Sequence, residues 1–408
     1  MRKKKIKFLI VIVIVNFSCA RFRVEKLQNE ELFSIPINEN INSLSFPEQK
    51  GLFHEIPSRM GIYENKLIVS EPSNRQIKIF NKNKLELIIA SKEYQKIKVT
   101  QQEIKNKELK TQPKTEKPVK TILADNLSIP GMIIAGQDED FYVVSYFSEK
   151  EMPKNIQNEK AENIDQKNND EEESDNQIDS QKSTGFYKIL HFNIKGELLG
   201  IIGRQGKTED HFENILWMDV DSDRGFWVTY SYAEEVYLER YVDNMLRETF
   251  TKNMCRDIVF STISKSQDYI YSCENMFPFS NAEKVIFVGR VDKIPDRSEV
   301  NSQGLIFQKR IFLIRDLATQ ENKIIFNNLN DPEDYPYIPY DKNISLWQFK
   351  DHSTTKISLY SLEGDLLKNL QIELPGNRHA WRSTYLTLSG FFYSIRIQKN
   401  NLMIYRWK

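Results

Sequence analysis

Apolar and polar residues alternate along this chain in short bursts. Lys66–Ser70, Gln76–Phe80, Phe141–Ser145, Gly225–Tyr230, Lys356–Tyr360 and Leu402–Tyr405 are examples, bounded by Asn, Asp, Gly or Lys. A period of two puts alternate side chains on opposite faces of an extended segment. β-Branched and aromatic residues fit that pleated surface, so the bursts read as β-strands. Stretches with helical spacing are scarce, and the predicted fold class is all-β.

The bursts come in sets. The first is Gly61–Ser70, Ser73–Phe80 and Leu85–Ile89; the second is Ile129–Ala135, Asp140–Tyr146, Tyr187–Phe192 and Leu198–Ile202. The third is Ile215–Asp221, Phe226–Tyr230, Val236–Tyr241 and Leu246–Phe250. Each is a meander of about four strands, and the third has the ~40–45-residue length of a propeller blade. A lone meander cannot bury both faces, so such units stack radially on their neighbours. An irregular fourth set falls around 255–327. A fifth includes Asn343–Phe349, Ile357–Tyr360 and Leu366–Ile372, and a sixth Arg382–Leu388, Phe391–Ile395 and Asn401–Trp407. The sixth is one strand short. Glu31–Pro36, near the N-terminus, is expected to supply it and to close a β-propeller of about six four-stranded blades.

Two stretches break the rhythm, at about 92–120 and 149–183. The first is rich in Lys, Gln, Glu and Thr and the second in Asn, Asp, Glu, Gln and Lys, and neither carries enough apolar surface for a core, so both are expected to be disordered, flexible surface insertions. In an up-and-down meander both would emerge at the same end of the ring. They either form a docking surface, the first tending basic and the second acidic, or are tolerated insertions without a role.

Leu67–Phe80, reading Leu-Ile-Val-Ser-Glu-Pro-Ser-Asn-Arg-Gln-Ile-Lys-Ile-Phe, resembles the core of an NHL repeat, in which an Asn-Arg turn separates two strands. Ile201–Gly206, followed by Phe212 and Met218–Asp221, is similar to the joint between successive NHL-type blades. The resemblance covers two or three blades and implies a six-bladed, NHL-like propeller.

The chain begins with a basic head, Arg2 to Lys7, then the apolar run Phe8–Val15, and reaches Cys19 directly after the small residue Ser18. The run is too short to span a bilayer as a helix and matches a secretory signal. Ser18-Cys19 resembles the lipobox of bacterial lipoproteins in its looser, spirochaete form. That resemblance implies a signal peptide over 1–18, a single propeller domain over 19–408 and acylation (palmitate among the chains) at Cys19. It also implies an extracytoplasmic protein of the cell envelope, held to a membrane, the outer membrane first among candidates. The other reading is an ordinary signal peptide cut nearby. With closure starting at Glu31, the tether is roughly ten residues, or tens of ångströms when extended.

Only Cys255 and Cys273 remain after the signal. They would flank a hairpin of Arg256–Thr262 and Asp268–Ser272. An oxidising compartment permits a disulfide between them, and two buried thiols are the alternative.

Charge and chemistry change the picture little. The 408 residues carry 57 Lys+Arg and 57 Asp+Glu, so no global field points to nucleic acid. Asp219, Asp221 and Asp223 open like a calcium loop, but Arg224 and Tyr230 stand where that loop needs Gly and a bidentate Glu, so they read as a solvated strand end and turn. His54, His191, His211, His352 and His379 show no metal-ligand spacing. Trp217, Trp227, Trp347, Trp381 and Trp407 suit blade cores better than sugar stacking. No catalytic residue, metal ligand or cofactor is assigned. The expected function is a lipid-anchored protein-binding or scaffolding module, with a membrane and a protein as partners and no nucleic acid. The alternative is a propeller hydrolase or lactonase-like enzyme with its site in the central channel.

Overall fold

The period-two bursts form six small sheets arranged as a six-bladed β-propeller. The computed structural model describes residues 24–38, 42–46, 48–49, 52–53, 56–92, 119–148, 185–203, 212, 214–232, 235–262, 269–279, 283–294, 306–329, 335–340, 343–349, 354–374, 381–388 and 390–407. Cys19 and the bulk of both insertions lie outside the described residues.

Blade one holds Gly61–Ile62, Lys66–Glu71, Gln76–Asn81 and Lys84–Ser91. Blade two holds Ile129–Ala135, Asp140–Ser148, Gly185–Asn193 and Leu198–Ile202, and blade three Asn214–Val220, Phe226–Tyr232, Glu235–Val242 and Met245–Thr251. Blade four comprises Tyr269–Pro278, Lys284–Lys293, Ile306–Asp316 and Asn322–Leu329. Blade five comprises Tyr335–Tyr340, Asn343–Phe349, Thr354–Tyr360 and Leu366–Glu373. Neighbouring strands within each meander are antiparallel, and the first strand of each is the innermost.

Blade six is a composite. Trp381–Leu386, Phe392–Gln398 and Asn401–Trp407 come from the C-terminus, and Asn29–Pro36 adds the outermost strand, antiparallel from Asn29 beside Trp407 to Pro36 beside Asn401. Phe33 and Ile35 of that strand are buried against Leu67 and Val69 of blade one and Ile395 and Ile404 of blade six. Each such side chain contributes ~1.5–3 kcal/mol relative to exposure. The two ends of the chain therefore hold the ring closed. Just before this strand, Val24–Lys26 runs parallel to Leu366–Glu373, so the N-terminus stitches blade five to blade six.

The NHL-like segment folds as strand, one 3-10 turn over Pro72–Asn74, and strand, with Arg75 at φ 47° closing the turn. Its Glu71 and Lys78 form a buried ion pair, Nζ to Oε1 at 3.2 Å. Glu71 also accepts the Ser45 N–H at 2.6 Å and Lys78 donates to the Ser43 carbonyl, which fastens the segment following the closing strand to blade one.

Three expectations are corrected. Arg256–Thr262 is not a strand of a hairpin but part of an α-helix, Lys252–Thr262, between blades three and four. Thr251 Oγ1 accepts the Met254 N–H at 3.0 Å as a helix cap, and Cys255 and Val259, one turn apart, point into the core. The helix supplies Cys255, and the first strand of blade four supplies Cys273; the two are joined by a disulfide. The second correction concerns the first insertion. Its last residue, Lys120, begins a fifth strand of blade one, Lys120–Ala124, parallel to Lys84–Ser91 with Lys120 beside Leu87. The chain thus leaves blade one at the end where Ser148 and Gly185 pair at the base of the second insertion, but re-enters it at the opposite end of the sheet. The third concerns the aspartates of blade three.

Candidate functional site

At the end of the ring where the innermost strands finish, side chains from blades one, three and six meet on the axis. Arg59 precedes the first strand of blade one. Its Nη2 donates to Asp219 Oδ2 of blade three at 2.9 Å and to the Leu386 carbonyl of blade six at 3.0 Å, while Nη1 donates to the Met218 carbonyl. Asp219 Oδ2 also accepts the Leu388 N–H at 3.0 Å, and Oδ1 the Val220 N–H at 2.9 Å. Both side chains of the ion pair are 6% exposed. The guanidinium carbon lies 5.1 Å from the Tyr385 ring centre and 5.9 Å from that of Trp217, so aromatic faces complete its shell.

Asp219 is therefore not a solvated strand end. Asp221 is buried as well, accepting N–H groups from Asp223, Gly225, Trp227 and Arg240, the last two at 2.8 Å. The two carboxylates serve different partners, one across the axis and one within its own blade. Among the described residues no group of three or more His, Cys, Asp and Glu is placed to hold a metal.

A cavity of about 330 Å³ opens beside Arg59. Tyr63, Gln137, Tyr385, Phe391, Tyr393 and Arg406 help line it, from blades one, two and six. Burial pushes the Tyr393 phenol up to about 12, with nearby Arg406 opposing and Asp219 reinforcing, so the hydroxyl stays protonated and can donate. Burial also raises the phenols of Tyr63 and Tyr385, whose hydroxyls donate to the carbonyls of Asp140 and Met60. The arrangement offers aromatic walls, guanidinium and hydroxyl donors, and one carboxylate already bound to three N–H groups.

His191, the one histidine among the described residues, joins blades two and three. One ring nitrogen is 2.5 Å from Asp140 Oδ2 and the other 3.2 Å from Asn244 Oδ1, and its ring stacks on Tyr142 at 4.1 Å. Burial would raise the Asp140 carboxyl, but the hydrogen bond and charge of His191 outweigh it and hold it below its ordinary value.

Trp227, Trp347 and Trp407 are buried in the blades, donating to Asp221, Ser345 and Ser394. Cys255 and Cys273 lie within the core shared by blades three to six, away from the cavity lining. Cys19 lies outside the described residues. Sequence reading missed Arg59, Tyr385 and Tyr393, because none of them belongs to a motif or a spacing that would betray it.

No protein-family model matches the chain, and no curated protein matches its sequence. Solved structures similar to it include hydrazine synthase of Kuenenia stuttgartiensis, at 10% identity over 85% of this chain and 82% of that one, with a TM-score of 0.38. A putative oxidoreductase (glucose dehydrogenase) of Thermus thermophilus is similar at 9% identity over 94% and 100%, TM-score 0.39. The C-terminal WD40 domain of Sif2 is similar at 8% over 94% and 99%, TM-score 0.32. At these scores the likeness says nothing about activity.

Proposed function

We propose that this chain is a lipid-anchored, extracytoplasmic propeller that works as a protein-binding or scaffolding module of the cell envelope. The observation that carries the reading is the N-terminal stitch. Pairing with blade five already begins at Val24. A lipid on Cys19 would then sit five residue steps from the ring, at most about 18 Å of extended chain. That is shorter than the tether expected from the sequence, and it presents the ring to the envelope in a restricted set of orientations. The Cys255–Cys273 disulfide supports an oxidising compartment. Metabolic labelling with a palmitate analogue tests the anchor: label and membrane retention are expected in the parent and absent in Cys19→Ala. Undiminished labelling of Cys19→Ala overturns it. Scaffolding is tested by in-cell cross-linking of the parent against a chain lacking 93–118 and 149–184; specific adducts lost on deletion are expected, and an unchanged adduct pattern removes the docking role of the insertions.

The axial cavity, with a buried carboxylate on its wall, favours a second reading, a hydrolase or lactonase-like enzyme. That reading requires Asp219 to act on substrate while its oxygens hold Arg59, Val220 and Leu388. Ester and lactone hydrolysis by the parent, abolished in a folded Asp219→Asn, would establish it in place of the scaffold.

A further inference from the structure

The cavity beside Arg59 holds a buried polar group that its walls leave unused. Tyr393, on the strand Phe392–Gln398, is 6% exposed and lines the cavity. Its hydroxyl makes no hydrogen bond among the described residues, whereas those of Tyr63 and Tyr385 donate to the Asp140 and Met60 carbonyls. Burial keeps the Tyr393 phenol protonated, so this hydroxyl can donate as well as accept. Buried hydroxyls are hydrogen-bonded in folded proteins, and the space in front of Tyr393 is where a partner can enter. At the exposed edge of the cavity the open groups are acceptors. Glu64 lines the space and forms no ion pair or hydrogen bond among the described residues. Gln137 donates Nε2 to the Asp221 carbonyl, which leaves its Oε1 as an acceptor. Both guanidiniums on the lining are committed, Arg59 to Asp219 and Arg406 to Glu30.

These groups select against charge. An anion would meet the Glu64 carboxylate on entry and no uncommitted cation within. A cation would lose its water beside the Arg59 guanidinium, whose counter-charge is already engaged. We propose that this cavity binds a neutral ring carrying several hydroxyl groups, the size of one sugar unit. Each hydroxyl is both donor and acceptor, so one such molecule can donate to Glu64 and Gln137 and exchange a hydrogen bond with Tyr393. Tyr63, Tyr385 and Phe391 provide flat apolar walls for the ring. About 330 Å³ stands at the low end of small-molecule pockets, which limits the ligand to a single ring. The proposal does not depend on the lipid anchor, on the scaffolding role or on hydrolysis by Asp219.

The test titrates glucose, galactose, mannose and myo-inositol one at a time into the folded chain, followed by NMR. Cyclohexanol serves as the ring with a single hydroxyl and glucuronate as the charged counterpart. At least one of the four neutral polyols is expected to perturb cavity-lining resonances. It should bind about tenfold or more tightly than cyclohexanol, which leaves the acceptors unpaired, and than glucuronate, which Glu64 repels. Tyr393→Phe keeps the ring and removes the hydroxyl, and Glu64→Ala removes the exposed acceptors. Each is expected to weaken that polyol several-fold while leaving the thermal midpoint within a few degrees, since neither group holds another part of the fold. No response to any of the four, equal binding of cyclohexanol or glucuronate, or parental affinity in Tyr393→Phe overturns the proposal.

Discussion

Arg59 and Asp219, 160 positions apart in the chain, form a buried ion pair at 2.9 Å that crosses the propeller axis. Through the Leu386 carbonyl and the Leu388 N–H the same pair reaches blade six, so one guanidinium and one carboxylate connect three blades. Removing one partner leaves the other charge buried without its counter-charge, so breaking the pair is costly.

Arg59→Met is expected to destabilise the fold by about 3–5 kcal/mol, because Asp219 keeps two N–H donors but loses its counter-charge. Urea unfolding of the single variants and of the double variant Arg59→Met/Asp219→Leu checks this. The double variant should recover part of the loss, and strictly additive losses would show that the two residues do not act as a pair.

Ring closure depends on apolar residues of the N-terminal strand. Phe33 and Ile35 are 2% and 0% exposed, and Phe33→Ala should cost about 3–5 kcal/mol. Hydrogen exchange is expected to rise first in Asn401–Trp407, which loses its outer neighbour. Exchange rising uniformly around the ring would contradict that local role.

Cys255 and Cys273 are 18 residues apart, so reduction should lower stability by about 3 kcal/mol through the freed unfolded chain. Cys255→Ser/Cys273→Ser should match the reduced parent in a denaturant melt, and reductant should not affect the variant.

Gly289 lies where the helix meets blade four. A Cβ there would stand 2.6 Å from Val259 Cγ1, so Gly289→Ala is expected to destabilise by about 1–3 kcal/mol. Gly289→Ala combined with Val259→Ala should relieve part of that strain, which a double-mutant cycle in denaturant would measure.

The Asp140 carboxyl is held below its ordinary value by His191, against the opposing effect of burial. A folded-state value below the unfolded value of about 3.9 means the contribution is fully present above about pH 4 and is lost as pH falls through the folded value. Asp140→Asn should therefore flatten the acid limb of the stability curve below about pH 4. An acid limb identical to the parent's would remove Asp140 from the linkage.

Strands, blade boundaries and the closing strand were legible because their signal is local. Alternation in Leu67–Ser70 or Phe226–Tyr230 is written in consecutive residues, and so is the shortage of one strand in the last meander. The helix had a local signal too: Met254, Cys255, Ile258 and Val259 recur at helical spacing, and the β-branched content of the segment hid it. The parallel strands Val24–Lys26 and Lys120–Ala124 carry too few residues to announce a partner on another part of the chain. Asp219 was visible as an acid but not as half of an ion pair. A residue at the end of an inner strand meets whatever the other blades bring to the axis, and that depends on ring closure, not on its neighbours in sequence. Local periodicity determines the blades; only the closed ring brings Arg59, Asp219 and Leu386 within hydrogen-bonding distance, because each comes from a different blade.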